Sequence, residues 1–288
     1  MANVAFIGLG VMGFPMAGHL TKAHKVTVYN RNAARAQAWV EKYGHASAPT
    51  PAAAATGAEI VFVCVGDDPD LRQVITGKDG VLDGIAKGAV VVDHTTASAN
   101  IARELSALAR GKGVGFIDAP VSGGQAGAEN GQLTVMCGGD AASYARAEPV
   151  IASYAKMCKL IGESGAGQLT KMVNQVCIAG IVQGLAEAMN FGTRAGLDME
   201  AVLAVISKGA AQSWQMENRG KTMLAGKFDF GFATDWMRKD LRITMDEARR
   251  NGARLPATSL IDQFYAEVQA HGHGRWDTSS LMSLLTDD

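Results

Sequence analysis

The chain opens on a short apolar run, Asn3-Val4-Ala5-Phe6-Ile7, of strand length. Gly8-Leu9-Gly10-Val11-Met12-Gly13 follows at once, then a helical pattern with Met12, Met16, Ala17 and Leu20 on one face. The same alternation continues. Strands are predicted at 25–29, 59–65, 89–93, 133–137 and 159–161, where β-branched and apolar residues run together, and 115–124 reads as a strand followed by a loop of small residues. Helices are predicted at 33–44, 50–57, 101–112 and 141–155, with another starting at residue 70. Run 59–65 is continuously apolar, as in a sheet covered on both faces.

Beyond residue 162 every long pattern has a helical period. Leu169, Met172, Val173, Val176, Gly180, Gly184, Leu185 and Ala188 form a stripe that lasts about eight turns. That length suits a helix buried centrally between domains or subunits. Further helices are expected at 199–207, 239–251 and 256–271, and Asp277-Thr278-Ser279-Ser280 reads as the cap of a last short one. The predicted architecture is α/β: a Rossmann-type doubly wound sheet over residues 1–162, then an all-helical domain over 163–288 joined by a long interdomain helix.

Composition narrows the classes. With 288 residues, two domains fit better than one core. Hydrophobic residues at 48%, charged ones at 19% and a net charge of −1 argue for a globular protein, and against nucleic-acid or membrane-surface partners. No uninterrupted apolar run reaches the ~18 residues of a membrane span, and a strand by residue 4 leaves no room for a signal peptide. Cys64, Cys137, Cys158 and Cys177 lie in apolar runs without C-x-x-C spacing, so buried free thiols and a cytoplasmic location are expected. His271-Gly272-His273-Gly274 reads as a mobile surface loop, and no metal site is expected.

The first turn carries candidate chemistry. Gly8–Gly13 has the spacing G-x-G-x-x-G between a strand and a helix. Gly8 allows the tight turn, Gly10 the approach of a pyrophosphate, and Gly13 close helix packing; Leu9, Val11 and Met12 complete the turn. The anion would sit at the helix N-terminus. An NAD site places Asp or Glu at the end of the second strand, but this chain has Asn30-Arg31-Asn32, with Arg35 a turn later. Arg31 could clamp a 2′-phosphate, so NADP(H) is expected over NAD(H). Val65 and Gly66 end the third long strand at the sheet edge where ligands lie. His94 could be a general base, although a histidine between a strand and a Thr-rich loop more often serves structure. The small-residue loop Ser122-Gly123-Gly124 offers backbone N–H groups and a hydroxyl to a carboxylate. Lys171, Asn174 and Gln175 stand at i, i+3 and i+4 on the long helix. Lys171 lies in the first turns, where the helix dipole disfavours an ammonium, so it could act as a general acid or base.

Four blocks together resemble the β-hydroxyacid dehydrogenase family, which includes 3-hydroxyisobutyrate dehydrogenases, tartronate semialdehyde reductases and glyoxylate/succinic semialdehyde reductases. They are Gly8–Gly13, Asp118-Ala119-Pro120-Val121-Ser122-Gly123-Gly124, Gly167-Gln168-Leu169-Thr170-Lys171-Met172-Val173-Asn174, and Lys239-Asp240-Leu241. The resemblance implies that Ser122, Gly123 and Gly124 hold a substrate carboxylate, Lys171 is the acid/base and Asn174 orients the substrate. It sets Thr96 beside the nicotinamide ribose and Lys239 over the cofactor, and adds Gln175, Trp214 and Asp240 as substrate contacts. It also implies a homodimer or homotetramer formed through the helical domain.

Three departures leave the substrate side chain open. Asn174-Gln175 stands where many members have Asn-Asn, Gly66-Asp67-Asp68 replaces Met-Leu-Pro, and Trp214 is either a substrate contact or core. Two other readings stay in view. Imine reduction on the same scaffold is disfavoured because imine-specialised families usually lack the lysine. A dinucleotide sensor without turnover would need neither Lys171 nor the Ser122 loop.

Overall fold

The computed structural model describes residues 1–286. The chain divides into two compact units, Met1–Lys171 and Met172–Asp288. This division falls inside one long helix, later than residue 162, because the helix's first turn is held by the sheet of the first unit.

In the first unit one sheet contains β1 (Asn3–Ile7), β2 (Lys25–Tyr29), β3 (Ala46–Ser47), β4 (Ile60–Val63), β5 (Val90–Asp93), β6 (Gly115–Asp118), β7 (Val121–Ser122), β8 (Leu133–Gly139) and β9 (Ala155–Gly162). Its order among the described residues is β3-β2-β1-β4-β5-β6-β8-β7, with β9 paired to β8. Strands β1 to β6 are parallel, and β8 runs antiparallel to both β6 and β7. The run 3-2-1-4-5-6 is the doubly wound order, and ligands bind at the carboxyl ends of its strands, where the order reverses. The helices of this unit are α1 (Gly13–Leu20), α2 (Ala33–Tyr43), α3 (Pro51–Ala55), α4 (Asp68–Thr76), α5 (Val81–Gly84), α6 (Ala99–Gly111), α7 (Gly124–Glu129) and α8 (Ala141–Ile151).

Alternating side chains explain the continuous apolar strands. Val4, Phe6, Ile60, Phe62, Val90 and Val92 join Met16, Leu20 and Trp39 in one core. Their neighbours Ala5, Ile7, Val61, Val63 and Val91 join Leu71, Ile75, Ile101 and Leu105 in another. Helices therefore cover both faces of the sheet. The sequence pattern misses β3, β7, α5 and α7, and it shortens β9. Strand β9 is largely exposed, so apolar residues do not mark its length; α7 is a run of small residues with no side-chain cap.

The second unit takes up α9 (Ala166–Arg194) from Met172 on, then α10 (Met199–Ile206), α11 (Trp214–Leu224), α12 (Thr234–Asn251), α13 (Pro256–Ala270), a 3-10 turn at Thr278–Met282 and α14 (Ser283–Thr286). Its core gathers Ala179, Val182, Leu185, Ala186 and Met189 with Leu203, Met216, Met237, Leu241 and Tyr265. The expected α9 stripe is thus corrected: Leu185 is buried, but Val173 is 65% exposed, and Gly180, Gly184 and Ala188 share the open face. By length and composition alone the helix is long and apolar enough to cross a membrane, a test that the core helix of a soluble protein also passes. Polar residues punctuate it, so it holds no unbroken apolar run of that length. The sequence pattern misses α11, and α12 begins at Thr234 rather than at residue 239.

Two smaller expectations also change. His273 stacks on Trp276 with ring centroids 3.5 Å apart, which ties the His271–Gly274 turn to the segment that follows it. Asp277 caps the 3-10 turn through Ser279 N, and its carboxylate also accepts from Arg219 Nε and Phe232 N. All four cysteines are free thiols, but Cys177 is exposed rather than buried, and Cys137 Sγ lies 3.5 Å from Cys158 Sγ.

Candidate active site

In the first unit the glycine turn is shaped by what a side chain would strike. Gly8 has φ +95°, and a Cβ there would stand 2.2 Å from Cys64 O. A Cβ on Gly13 would lie 2.1 Å from Gly8 O, whereas one on Gly10 would meet nothing within 4 Å. The turn is therefore closed against protein at its ends and open at its middle. No side chain caps the first turn of α1. These residues fit the pyrophosphate of a dinucleotide, which backbone N–H groups at a helix N-terminus bind well.

The end of β2 braces this turn. Asn30 Oδ1 accepts from Leu9 N at 2.9 Å, and Asn30 Nδ2 donates to Asn32 O. Asn32 caps α2 through Ala34 N. Arg35 Nε donates to Leu9 O, and its guanidinium lies 5.6 Å from the Phe14 ring centroid. Arg31 extends into solvent, 89% exposed, and pairs with Asp70 of α4 at 3.3 Å. A carboxylate does therefore reach this end of the site, from a residue distant in sequence. Across the turn, Val65 N donates to Thr95 Oγ1 at 3.1 Å. Gly66 leads into α4, where Asp67 caps the helix and Asp68 holds Ser98 through both its backbone N–H and its hydroxyl.

His94 is 2% exposed. Nδ1 lies 2.6 Å from Ala119 O, and Nε2 lies 2.7 Å from the Tyr154 hydroxyl. Burial pushes its pKa down to about 4, so the ring is neutral near pH 7 and both nitrogens are engaged. It is a structural residue, in agreement with the expectation for its setting.

After β6 the chain forms the small-residue loop. Ser122 ends β7 opposite Thr134, and Gly123 at φ +131° turns the backbone into α7, which has no side-chain cap. A Cβ on Gly124 would meet nothing within 4 Å. The Ser122 hydroxyl and the uncapped first turn of α7 suit a carboxylate. Lys171, the last residue of this unit, is 7% exposed, in contrast to a snorkelling surface lysine. Its helix begins on the sheet: Asp118 Oδ1 accepts from Gly165 N at 2.7 Å, and Oδ2 from Gln168 N at 3.0 Å.

The second unit holds the remaining candidates. Asn174 Nδ2 donates to Gln175 Oε1 at 2.8 Å. Gln175 Nε2 donates to Asp240 Oδ2 at 2.6 Å, and Lys239 Nζ lies 3.3 Å from Asp240 Oδ1. Gln175 and Asp240 are each 2% exposed. Their polar ends bond one another, Asn174 and Lys239 in a buried cluster. Trp214 is 49% exposed at the start of α11, with the Arg219 guanidinium 5.0 Å from its ring, so it is not core. Sequence reading missed Gln168, Asp118 and Asp70. The first two stood inside recognised motifs, but no local signal marks Asp70. Among the described residues no group of three or more His, Cys, Asp or Glu side chains is placed to hold a metal ion.

The fold and the first-unit site define an NAD(P)-dependent oxidoreductase of the hydroxyacid dehydrogenase type. Residues 3–162 match the NAD binding domain of 6-phosphogluconate dehydrogenase, and residues 165–285 match the model described as NAD-binding of NADP-dependent 3-hydroxyisobutyrate dehydrogenase. The chain is 64% identical over 286 residues to an uncharacterized oxidoreductase of Shewanella frigidimarina, covering 99% of this chain and 98% of that one. It is 39% identical to the probable 3-hydroxyisobutyrate dehydrogenase-like 1 of Arabidopsis thaliana, over 98% of this chain and 85% of that one. A solved structure of Mycobacterium tuberculosis 3-hydroxyisobutyrate dehydrogenase with L-serine matches with a TM-score of 0.90 at 30% identity, covering all of both chains. The chain belongs to the β-hydroxyacid dehydrogenase family.

Proposed function

We propose that the protein moves hydride between NADP(H) and the carbonyl or hydroxyl carbon of a short hydroxy acid or its semialdehyde, of the 3-hydroxyisobutyrate, tartronate semialdehyde, glyoxylate or succinic semialdehyde type. The observation that carries this reading is the burial of Lys171 in the same unit as the glycine turn and the Ser122 loop. Burying an ammonium costs free energy that an exposed lysine does not lose, so surface placement alone does not explain this position. When bound, the nicotinamide supplies or accepts hydride; the protein's part is orientation and a proton. Lys171 Nζ would give its proton to the substrate oxygen in reduction and take the hydroxyl proton in oxidation. Ser122, Gly123 and Gly124 would bind the carboxylate, and Asn174 would orient the substrate. Thr96 would lie beside the nicotinamide ribose and Lys239 would reach the cofactor. A lysine and amide donors can stabilise the developing oxyanion, so no metal is invoked.

Preference for NADP(H) is supported by Arg31 and Arg35 and by the absence of Asp or Glu at the end of β2. Assembly as a homodimer or homotetramer through the helical domain is supported by the exposed apolar residues Val173, Ile181 and Phe191 of α9. Four free thiols support a cytoplasmic location. The test is oxidation of NADPH, followed by its absorbance, with glyoxylate, succinic semialdehyde, tartronate semialdehyde and methylmalonate semialdehyde. Turnover of at least one is expected. No turnover of any acid, together with turnover of cyclic imines, would replace this reading with imine reduction. Cofactor binding without turnover of either class would replace it with a sensor.

A further inference from the structure

Gln168 is a fully buried polar side chain that the proposed chemistry does not use. Its amide grips a loop at two points. Oε1 accepts from Ala97 N at 3.0 Å, and Nε2 donates to Thr95 O at 2.7 Å. The residue bracketed between those two bonds is Thr96. Both ends of the amide are thus spent on one backbone segment, much as a neighbouring strand would pair with it.

The main chain of Gln168 is fixed as firmly. Its N–H and that of Gly165 bond the two oxygens of Asp118, which is itself fully buried at the end of β6. The turn lies directly against the backbone of the sheet. A Cβ on Gly167 would lie 2.4 Å from both Asp118 O and Met136 O, and a Cβ on Gly138 would lie 2.7 Å from Gly167 N. Backbone therefore packs on backbone from β6 and β8 beneath the first turn of α9. Lys171 stands three residues after Gln168, on the same helix face.

We infer that Gln168 is a positioning residue for the proposed reaction. Anchored by Asp118, it fixes the Thr95–Ala97 loop and the Lys171 turn of α9 as one rigid piece. The inference rests on the proposed role of Lys171. Proton transfer needs Lys171 aligned with the substrate oxygen while hydride moves at the carbon beside it. A misplacement of ~1 Å can cost about 100-fold in rate. Gln168 touches neither partner of that reaction; it acts through the loop and the helix.

Gln168→Met keeps the side chain's length and removes both amide contacts, while Gln168→Asn keeps the amide one methylene short of the loop. With each folded variant, turnover per cofactor-titrated site is expected to fall about 10- to 100-fold, with the substrate KM within about threefold. The deuterium isotope effect with NADPH labelled at C4 should rise as hydride transfer becomes limiting. Hydrogen exchange of the amides at 95–97 should quicken in both variants. That readout requires no turnover, so it tests the positioning even if no tried substrate reacts, an outcome that would count against the proposed function alone. Turnover within twofold of wild type with an unchanged isotope effect would overturn the inference, as would unchanged exchange at 95–97. If Gln168→Met does not fold, Gln168→Asn decides by the same measurements.

Discussion

Arg31 Nη1 lies 3.3 Å from Asp70 Oδ1, although the two residues are far apart in sequence. The pair lies just past the end of β2, where the proposed function puts the 2′-phosphate that distinguishes the two nicotinamide cofactors. It is exposed on both sides, so it holds Arg31 only weakly. A 2′-phosphate could compete for the guanidinium with two charges against one. Arg31→Asp is expected to reverse the NADPH-to-NADH ratio of kcat/KM. Asp70→Asn is expected to raise that ratio by a few-fold, because it removes the competing carboxylate. Wild-type protein that uses NADH as well as NADPH, with no response to Asp70→Asn, would remove Arg31 from the cofactor assignment.

Ser122 stands at the end of a strand and just before the uncapped turn of α7. If its hydroxyl meets the substrate carboxylate, Ser122→Ala loses one hydrogen bond to a charged group, worth about 1.5–3 kcal/mol. The substrate KM should rise roughly 10- to 100-fold, while NADPH affinity stays near that of wild type. Equal loss of both affinities, measured by fluorescence titration of the cofactor, would place the loop elsewhere in the site.

For Lys171, alanine removes the proposed acid/base without removing a helix former. Turnover should fall by about 100-fold or more, with NADPH binding kept. In wild type, kcat/KM for alcohol oxidation should rise with pH through one ionisation as the neutral amine becomes available. That limb should be missing in Lys171→Ala. A variant that keeps the limb would show that another group takes the proton. His94 is a poor substitute, since Ala119 O and the Tyr154 hydroxyl occupy both of its nitrogens.

The legible parts of this protein are those whose cause is local. Gly8, Gly10 and Gly13 act within one turn: Gly8 and Gly13 stand where a side chain would strike backbone, as their spacing implied, and Gly10 faces open space. The strands buried on both faces announced themselves by unbroken Val, Ile and Phe. What escaped depends on partners distant in sequence. Asp70 reaches Arg31, and Gln175 reaches Asp240 from another helix. Nothing near Gln175 or Asp240 in sequence says that their side chains bond each other across two helices. Gln168 was visible inside a motif, but its grip on Thr95 and Ala97 required the fold. Helix α7 was hidden because its small residues carry no apolar period and its N-terminus has no side-chain cap.

Asp93 gives a test that depends on stability rather than catalysis. It lies fully buried in register opposite Asp118 on the neighbouring parallel strand, and its Oδ2 has no hydrogen-bond partner. Burial, opposed by the bonds from Thr95, pushes its pKa up to about 7, with Asp118 and Asp68 adding repulsion. In the unfolded chain the same carboxyl titrates near ~3.9. The native state therefore holds more protons than the unfolded state between those values, so this group makes stability fall as pH rises. Its contribution is fully present below about pH 4 and is lost as pH passes through about 7. His94, with its pKa held down at about 4, acts in the opposite sense: its contribution is present above ~6.5 and lost as pH falls through about 4. The two partly cancel in wild type, so a variant is needed to separate them. Asp93→Asn keeps an oxygen for Thr95 N and cannot ionise. Relative to wild type its Tm should rise as pH goes from about 4 to 8, by the equivalent of a few kcal/mol at most (on the order of 1.4 kcal/mol per pKa unit), and the difference should shrink again as pH falls toward ~4. Differential scanning calorimetry at several pH values decides it. A gap that does not depend on pH would mean that Asp93 is not the group whose ionisation the fold opposes.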